Sequence, residues 1–265
     1  MAGEQEPVAP VILSLEDVAK SFGGLRALDG CTLAVRTGSI TGVIGPNGAG
    51  KSTTIEVISG FLAPDSGRIT FGGRPIQGLK PHVISRIGLV RTFQIPREWP
   101  RLTLLENLLV AAPQWRSETI WRGLLRRGWG YQVDRADLDR ATEILAMWGM
   151  SRLGNEYAGN LSGGQKRLLE FGRILMAKPR LALLDEPLAG VNPVLTDRIA
   201  EAIHDLNSEG ITILIVEHNL KMVESLCTEV VAMALGKVLA TGTMKTLRAD
   251  EQVVAAYLGE GAADD

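Results

Sequence analysis

The chain has 265 residues, of which 45% are hydrophobic and 22% are charged, as in an ordinary globular protein. Its 28 Lys and Arg residues against 30 Asp and Glu leave a net charge of −2, so no overall basic field favours nucleic acid as a partner. Cys31 and Cys227 are typical of a reducing compartment and exclude a disulfide framework. The longest apolar runs, such as 230–235, are much shorter than the roughly 20 residues of a membrane helix. The acidic N-terminus lacks the layout of a signal peptide, so we expect any membrane role to depend on another chain.

The predicted elements alternate between strands and helices. In chain order, we predict strands over 11–18, 31–35, 39–44 and 68–71, helices over 104–112 and 134–148, a strand over 181–184, a helix over 194–207, a strand over 211–216, and a hairpin with strands over 230–235 and 238–240. Such alternation is typical of an α/β core with a parallel sheet. We expect 68–71 to be an edge strand, and the long helical stretch in the middle to be an inserted subdomain.

A glycine-rich loop follows the third predicted strand. It comprises Gly45, Pro46, Asn47, Gly48, Ala49, Gly50, Lys51, Ser52 and Thr53, and we call it the phosphate loop. Its strand, Gly-Lys-Ser/Thr and helix fit the pattern of a P-loop, in which glycines let backbone N–H groups turn around phosphate oxygens. Lys51 would reach the β- and γ-phosphates, and the Ser52 hydroxyl would ligate Mg²⁺. The loop predicts nucleotide binding, but by itself it equally fits a kinase or a GTPase.

Two later motifs narrow the class of protein. The signature segment, which consists of Leu161, Ser162, Gly163, Gly164 and Gln165, opens a predicted helix. Taken alone, it also fits a simple helix start with Ser162 as the N-cap. The apolar strand over 181–184 then ends in Asp185 and Glu186. In a P-loop protein the first acid typically supports Mg²⁺, and the second is left to orient or deprotonate a water molecule.

The phosphate loop, the LSGGQ segment and the apolar strand ending in Asp-Glu-Pro, in this order, resemble the nucleotide-binding subunit of ABC transporters. The resemblance covers about 11–257. It implies an α/β fold of the P-loop NTPase class, with a mainly parallel core sheet, an antiparallel β subdomain and an inserted helical subdomain. We therefore predict an ATPase domain over 11–258, with the helical subdomain at about 95–178 and tails over 1–10 and 259–265.

The resemblance implies roles for three further residues. Gln94 would contact Mg²⁺ and the attacking water, His218 would hold the γ-phosphate, and Phe22 would stack on adenine. Each also has a simpler interpretation: a glutamine in a loop, a structural histidine, and a phenylalanine of the core. The metal ligands implied by the motifs together are Ser52, Gln94 and Asp185.

The resemblance also implies partners. Two ATPase chains, identical or paralogous, would close head-to-tail on two ATP molecules, so that Ser162 and Gly164 of one chain bind the γ-phosphate held by the other. Glu186 would polarise the water while Lys51, Mg²⁺ and His218 stabilise the developing charge. Integral permease subunits would hold the chain at the cytoplasmic face of the membrane, and an external solute-binding protein would act through them.

Three segments are similar to the ATPases of branched-chain amino acid importers: RTFQ at 91–94, AGVNP at 189–193 and VAAYLG at 254–259. In the second of these, Asn192 replaces an Asp that the wider family often has, and it keeps the size but not the charge. ATPases for urea or amide import and for lipopolysaccharide export share parts of these features. The alternative that the chain is a soluble ABC ATPase of the iron–sulfur assembly type also stays open.

The segment 115–129 holds three of the five tryptophans and four arginines. We interpret it as a variable helical insertion whose tryptophans pack locally. Contact with the membrane or the permease is the alternative. Interleaved aromatic and basic residues also occur at nucleic-acid sites, but we expect no nucleic-acid partner.

Overall fold

The computed structural model describes residues 9–92, 98–113, 134–189, 191 and 193–258. The chain divides into two compact units. The sheet unit comprises Met1–Arg91, Leu181–Pro187 and Gly210–Asp265, and the helical unit comprises Thr92–Arg180 and Leu188–Glu209. Gln94, Asn192 and the segment 115–129 lie outside the described residues, so the predictions for them stay predictions.

A four-stranded antiparallel sheet begins the sheet unit. Its strands are β1 (Val11–Phe22), β2 (Leu25–Arg36), β4 (Ser66–Phe71) and β5 (Arg74–Pro75), in the order β2-β1-β4-β5. In β2, Cys31, Leu33 and Val35 are buried and the residues between them are exposed, because successive side chains point to opposite faces of a sheet. The prediction that 68–71 forms an edge strand was wrong. Gly72 and Gly73 adopt left-handed backbone angles that turn the chain back, so that β5 pairs with β4 and forms the edge.

A six-stranded sheet forms the rest of the unit. Its strands are β3 (Ile40–Ile44), β6 (Leu89–Arg91), β7 (Leu181–Asp185), β8 (Thr212–Val216), β9 (Glu229–Ala234) and β10 (Lys237–Gly242), in the order β10-β9-β3-β8-β7-β6. The pairs from β9 to β6 are parallel, and the β9–β10 hairpin is antiparallel. Every residue of β3, β7 and β8 is buried, as expected for central strands covered on both faces. The predicted α/β class with a mainly parallel core sheet and an antiparallel β part is confirmed.

The helices divide between the two units. The sheet unit holds α1 (Lys51–Ile58), α2 (Pro81–Arg86), α7 (Leu220–Leu226), α8 (Met244–Leu247) and α9 (Glu251–Leu258), and the helical unit holds α3 (Leu104–Leu109), α4 (Arg135–Met147), α5 (Gly163–Ala177) and α6 (Pro193–Ser208). In the sheet unit, buried side chains of both sheets and of α1 form one apolar cluster. In the described part of the chain, no helix is long and apolar enough to span a bilayer.

The helical unit is built around α5, which packs against α3, α4 and α6. Gly172 permits this close approach, because a Cβ there would lie 2.8 Å from Leu108 and 3.1 Å from Ile144. The indole Nε1 of Trp148 donates a hydrogen bond of 2.9 Å to Asp205 and ties the end of α4 to α6. Because α6 belongs to this unit, the unit extends beyond 95–178, and the predicted bounds of the subdomain stay a prediction.

Candidate active site

The phosphate loop connects β3 to α1 through glycines that no other residue could replace without strain. Gly45 has a φ of 155°, and a Cβ on it would lie 2.2 Å from the carbonyl oxygen of Met233. Gly50 has a φ of 99°, and its Cβ would lie 2.5 Å from the carbonyl oxygen of Ala27. At these two positions the backbone lies too close to a neighbouring carbonyl oxygen for any side chain.

Lys51, the first residue of α1, folds back over this loop. Its ammonium donates hydrogen bonds of 2.6 Å to the carbonyl of Gly45 and 2.8 Å to that of Pro46. The residue is 8% exposed, so its charge is held within the loop rather than in bulk water. Next to it, Ser52 is exposed and Thr53 is half-buried. A positive group thus lies at the loop, and a hydroxyl lies beside it.

The N-terminus of α1 is the second feature of the loop. Within the described residues no side chain caps this helix, and its N-cap is Gly50 in the left-handed conformation. The first N–H groups of α1 and the positive end of its dipole therefore favour an anion as a ligand. Together with the glycine cradle and Lys51, this arrangement fits the phosphate chain of a nucleotide.

The two carboxylates lie where the central strands end. The N–H of Glu186 donates to the carbonyl of Val216 at 3.0 Å, and the N–H of Glu217 donates to that of Val43 at 3.3 Å. These bonds align the carboxyl ends of β7, β8 and β3 at one edge of the sheet, which is where parallel sheets bind their ligands. Asp185 and Glu186 therefore share this edge with the phosphate loop, which begins where β3 ends.

The carboxylates differ in their surroundings. Asp185 is buried, and its Oδ2 accepts a hydrogen bond of 2.9 Å from Nη2 of Arg91. Glu186 has a φ of 44°, a left-handed conformation that costs a residue with a Cβ on the order of 1–2 kcal/mol. Strain of this kind recurs at active sites. Sequence reasoning had used Arg91 only as part of the RTFQ segment. The strand β6 has three residues and shows no alternating pattern, so the sequence carried no local signal for this role of Arg91.

His218 follows β8 and lies beside Glu186. Its Nδ1 is 3.6 Å from Oε1 of Glu186, and the imidazole is 60% exposed. The buried Glu217 accepts hydrogen bonds from the backbone N–H groups of His218 and Asn219, at 3.2 and 3.5 Å. The turn that carries the histidine is thus fixed by a carboxylate to which sequence reasoning gave no role.

Phe22 ends β1 and is 46% exposed, so the alternative that it is a core residue is excluded. The ammonium of Lys20 lies 5.7 Å from the centre of its ring. An exposed aromatic face of this kind is suited to stacking on a flat ring.

The signature segment begins α5 in the helical unit. Oγ of Ser162 accepts the N–H of Gln165 at 3.4 Å, and the Gln165 side chain accepts the N–H of Ser162 at 2.9 Å, which forms a capping box. The interpretation of Ser162 as an N-cap is therefore confirmed. Since its oxygen is the acceptor in this bond, the hydroxyl keeps its own proton for donation to another group. A Cβ on the buried Gly164 would lie 2.2 Å from Cδ1 of Leu195, so a side chain there would displace the end of this leucine of α6.

Comparison with known families matches the chain twice. A model described as ABC transporter matches residues 28–189, which include the phosphate loop, both carboxylates and the signature segment. A second model, described as branched-chain amino acid ATP-binding cassette transporter, matches residues 237–263.

Similar proteins cover nearly the whole chain. A probable branched-chain amino acid transport ATP-binding protein, LivG, of Archaeoglobus fulgidus is 42% identical over 248 residues, which is 94% of this chain and 95% of that protein. The high-affinity branched-chain amino acid transport ATP-binding protein BraF of Pseudomonas aeruginosa is 39% identical, over 94% of this chain and 98% of that protein.

Solved structures agree with these matches. The ADP conformation of an ATP-binding cassette of an ABC transporter is 38% identical and has a TM-score of 0.80, over 95% of this chain and 100% of that one. A nucleotide-free cassette is also 38% identical and has a TM-score of 0.78, over 94% of this chain and 99% of that one. The chain belongs to the ABC transporter family.

Proposed function

We propose that the chain is the ATP-hydrolysing subunit of a membrane importer for branched-chain amino acids. The observation that carries the ATPase part is that the phosphate loop, with its buried Lys51, lies at the same edge of the sheet as Asp185 and Glu186. Support for the solute comes from the relatives that are named for branched-chain amino acid transport. The RTFQ, AGVNP and VAAYLG segments point the same way.

The residues assign a binding mode for ATP. The phosphates would lie on the backbone of the phosphate loop and at the start of α1, with Lys51 on the β- and γ-phosphates. The exposed ring of Phe22 would stack on adenine. Ser52, Asp185 and Gln94 would hold Mg²⁺, and hydroxyl, carboxylate and amide oxygens are the ligands that this cation prefers. When bound, Mg²⁺ neutralises charge on the β- and γ-phosphate oxygens.

Glu186 and His218, whose Oε1 and Nδ1 lie 3.6 Å apart, would carry out the hydrolysis. Glu186 would orient the water and accept its proton as the water oxygen attacks the γ-phosphorus and the bond to the bridging oxygen of ADP breaks. His218, held beside Glu186 by its fixed turn, would donate to a γ-phosphate oxygen. Lys51 would stabilise the charge that develops on the phosphates.

A second chain would complete each site. The Ser162 hydroxyl and the N-terminus of α5 would bind the γ-phosphate held by the partner chain, which is identical or paralogous. We propose an ATPase domain over 11–258, with its helical subdomain at about 95–178. Permease subunits would hold it at the cytoplasmic face of the membrane as a peripheral subunit, and an external binding protein would deliver the solute to them.

The substitution Glu186→Gln tests the ATPase. It keeps the shape of the side chain and removes its capacity to accept a proton, so we expect kcat for ATP hydrolysis to fall about 10²- to 10⁴-fold. The affinity for ATP, measured by equilibrium titration, should change by less than about twofold, since the carboxylate acts on the water. Glu201→Gln, at an exposed position of α6, is the matched control and should leave kcat unchanged. Near-normal turnover in Glu186→Gln would exclude Glu186 as the base.

Uptake by cells tests the solute. Cells that carry Glu186→Gln should lose uptake of labelled leucine, isoleucine and valine, whereas cells that carry Glu201→Gln should keep it. Unchanged uptake of all three, together with lost uptake of urea or lost lipid export, would contradict the proposed solute and leave the ATPase mechanism in place.

A further inference from the structure

Arg91 is an arginine of the six-stranded sheet whose side chain is mostly covered. It ends β6, the edge strand that pairs in parallel with β7. Its side chain is 12% exposed and that of Asp185 is 3% exposed, and Nη2 of Arg91 donates to Oδ2 of Asp185 at 2.9 Å. A buried ion pair of this kind persists only where its geometry is well determined, because both charges have been taken out of water.

The guanidinium is held on other sides as well. Its Nη1 donates to Oγ of Ser59 at 3.3 Å, and its central carbon lies 5.5 Å from the centre of the Phe61 ring. Ser59 is the C-cap of α1, and its hydroxyl in turn donates to the carbonyl of Ile55 at 2.6 Å. The arginine therefore links the C-terminal end of the phosphate-loop helix to the carboxylate at the end of β7.

This set of contacts is specific to an arginine. A planar guanidinium can donate to two partners at once and lie against an aromatic ring, whereas a lysine ammonium on a flexible stem is a single point charge. The charge-assisted bond holds one oxygen of Asp185 in a set direction and so sets the orientation of the whole carboxylate. Partners that orient a metal ligand in this way typically contribute 10- to 100-fold to metal affinity.

We propose that Arg91 is a positioning residue for the Mg²⁺ site: it orients Asp185 toward the metal and joins that carboxylate to the helix that begins at the phosphate loop. The inference rests on the proposed function, in which Asp185 is a metal ligand. It assigns to the arginine of the RTFQ segment a task in metal binding rather than in contact with ATP itself.

The test separates metal binding from nucleotide binding. For the wild type, Arg91→Gln and Arg91→Lys, the affinity for the non-hydrolysable analogue AMP-PNP is measured once with Mn²⁺ and once with EDTA, and the electron paramagnetic resonance of bound Mn²⁺ is recorded. In Arg91→Gln, the gain in affinity that Mn²⁺ brings should fall about 10- to 100-fold, with an altered Mn²⁺ spectrum. Arg91→Lys keeps the charge and should recover part of this gain. Affinities in EDTA should stay within about twofold of the wild type.

A control variant and a check of folding separate the possible outcomes. Arg68→Gln removes the same charge from an exposed position of β4 and should behave as the wild type. If Arg91→Gln does not fold, as judged by circular dichroism, Arg91→Lys carries the test, because it leaves a cation beside Asp185. An unchanged Mn²⁺ gain in the folded variants, or an equal loss in EDTA, would overturn the inference. A wild-type chain that binds no AMP-PNP under either condition would instead contradict the proposed function.

Discussion

The helices α1 and α5 both begin at glycine-rich turns, and they differ in how the N–H groups of the first turn are paired. At α5, Ser162 and Gln165 close a capping box, so side chains of the segment itself pair with two backbone N–H groups at the helix start. At α1, the N-cap is Gly50, and no side chain among the described residues takes this part. Side chains of the same segment therefore serve part of the start of α5, whereas the start of α1 is suited to an anion.

The glycines of the two turns also differ in what a side chain would meet at each of them. A Cβ on Gly45 or Gly50 would meet backbone carbonyl oxygens, which cannot move without moving a strand. A Cβ on Gly163 would meet nothing within 4 Å, and one on Gly164 would meet the side chain of Leu195. The phosphate loop is thus constrained by backbone geometry, whereas the signature segment is constrained by side-chain packing. Glycine-rich motifs that look alike in a sequence therefore serve different physical needs.

Ser162→Arg should have the largest effect and would test whether α5 also serves a ligand. A long cation would fill the space in front of the helix start, so we expect turnover to fall about 10²- to 10³-fold, as when one charge-stabilising donor is lost. Each chain should still bind ATP, since its own phosphate loop is intact. The matched control is Ser151→Arg, at an exposed position of the helical unit. Turnover that is unaffected by Ser162→Arg and independent of dilution would contradict a site shared between two chains.

Lys51→Ala tests whether ATP binding depends on the ammonium of Lys51 as well as on the start of α1. Loss of the charged donor should weaken ATP binding about 10- to 100-fold, because hydrogen bonds to charged groups contribute about 1.5–3 kcal/mol. Isothermal titration of ATP measures the change. Lys245→Ala, at an exposed position of α8, should bind ATP as the wild type does. Equal affinities in Lys51→Ala and the wild type would refute the assignment of the phosphate loop.

The smallest effect is expected from one substitution made at both helix starts. Gly50→Ala should lower the free energy of unfolding by about 1–3 kcal/mol, since alanine is strained at a φ of 99° and its Cβ would overlap the Ala27 carbonyl. Gly163→Ala should raise it by up to about 1 kcal/mol, because the site is open and alanine favours the helix. Thermal unfolding, at about 2–4 °C per kcal/mol for a chain of this size, measures both. If the two substitutions changed the free energy of unfolding in the same direction, the difference between the two helix starts would be refuted.

Local patterns explain which parts of the fold the sequence predicts. The strand over 39–44, the loop after it and the helix α1 form one continuous segment whose glycines specify its conformation, and the structure agrees with it. The helices α2, α7 and α8 and the strand β6 were not predicted, because they are too short for a helical or alternating period to appear. The error at 68–71 has a related cause: two residues of β5 carry no strand pattern of their own.

Three features of the site lie on contiguous segments and can be predicted without the fold: the phosphate loop, the capped start of α5, and the carboxylate pair that ends a strand. Three others depend on the folded chain: Oε1 of Glu186 lies 3.6 Å from Nδ1 of His218, Phe22 is exposed, and Arg91 reaches Asp185 across 94 positions of the chain. The physical reason is that a motif specifies its own backbone through local hydrogen bonds and allowed angles. Partners and burial depend instead on which distant strands pair, and that pairing is set by the packing of the whole sheet.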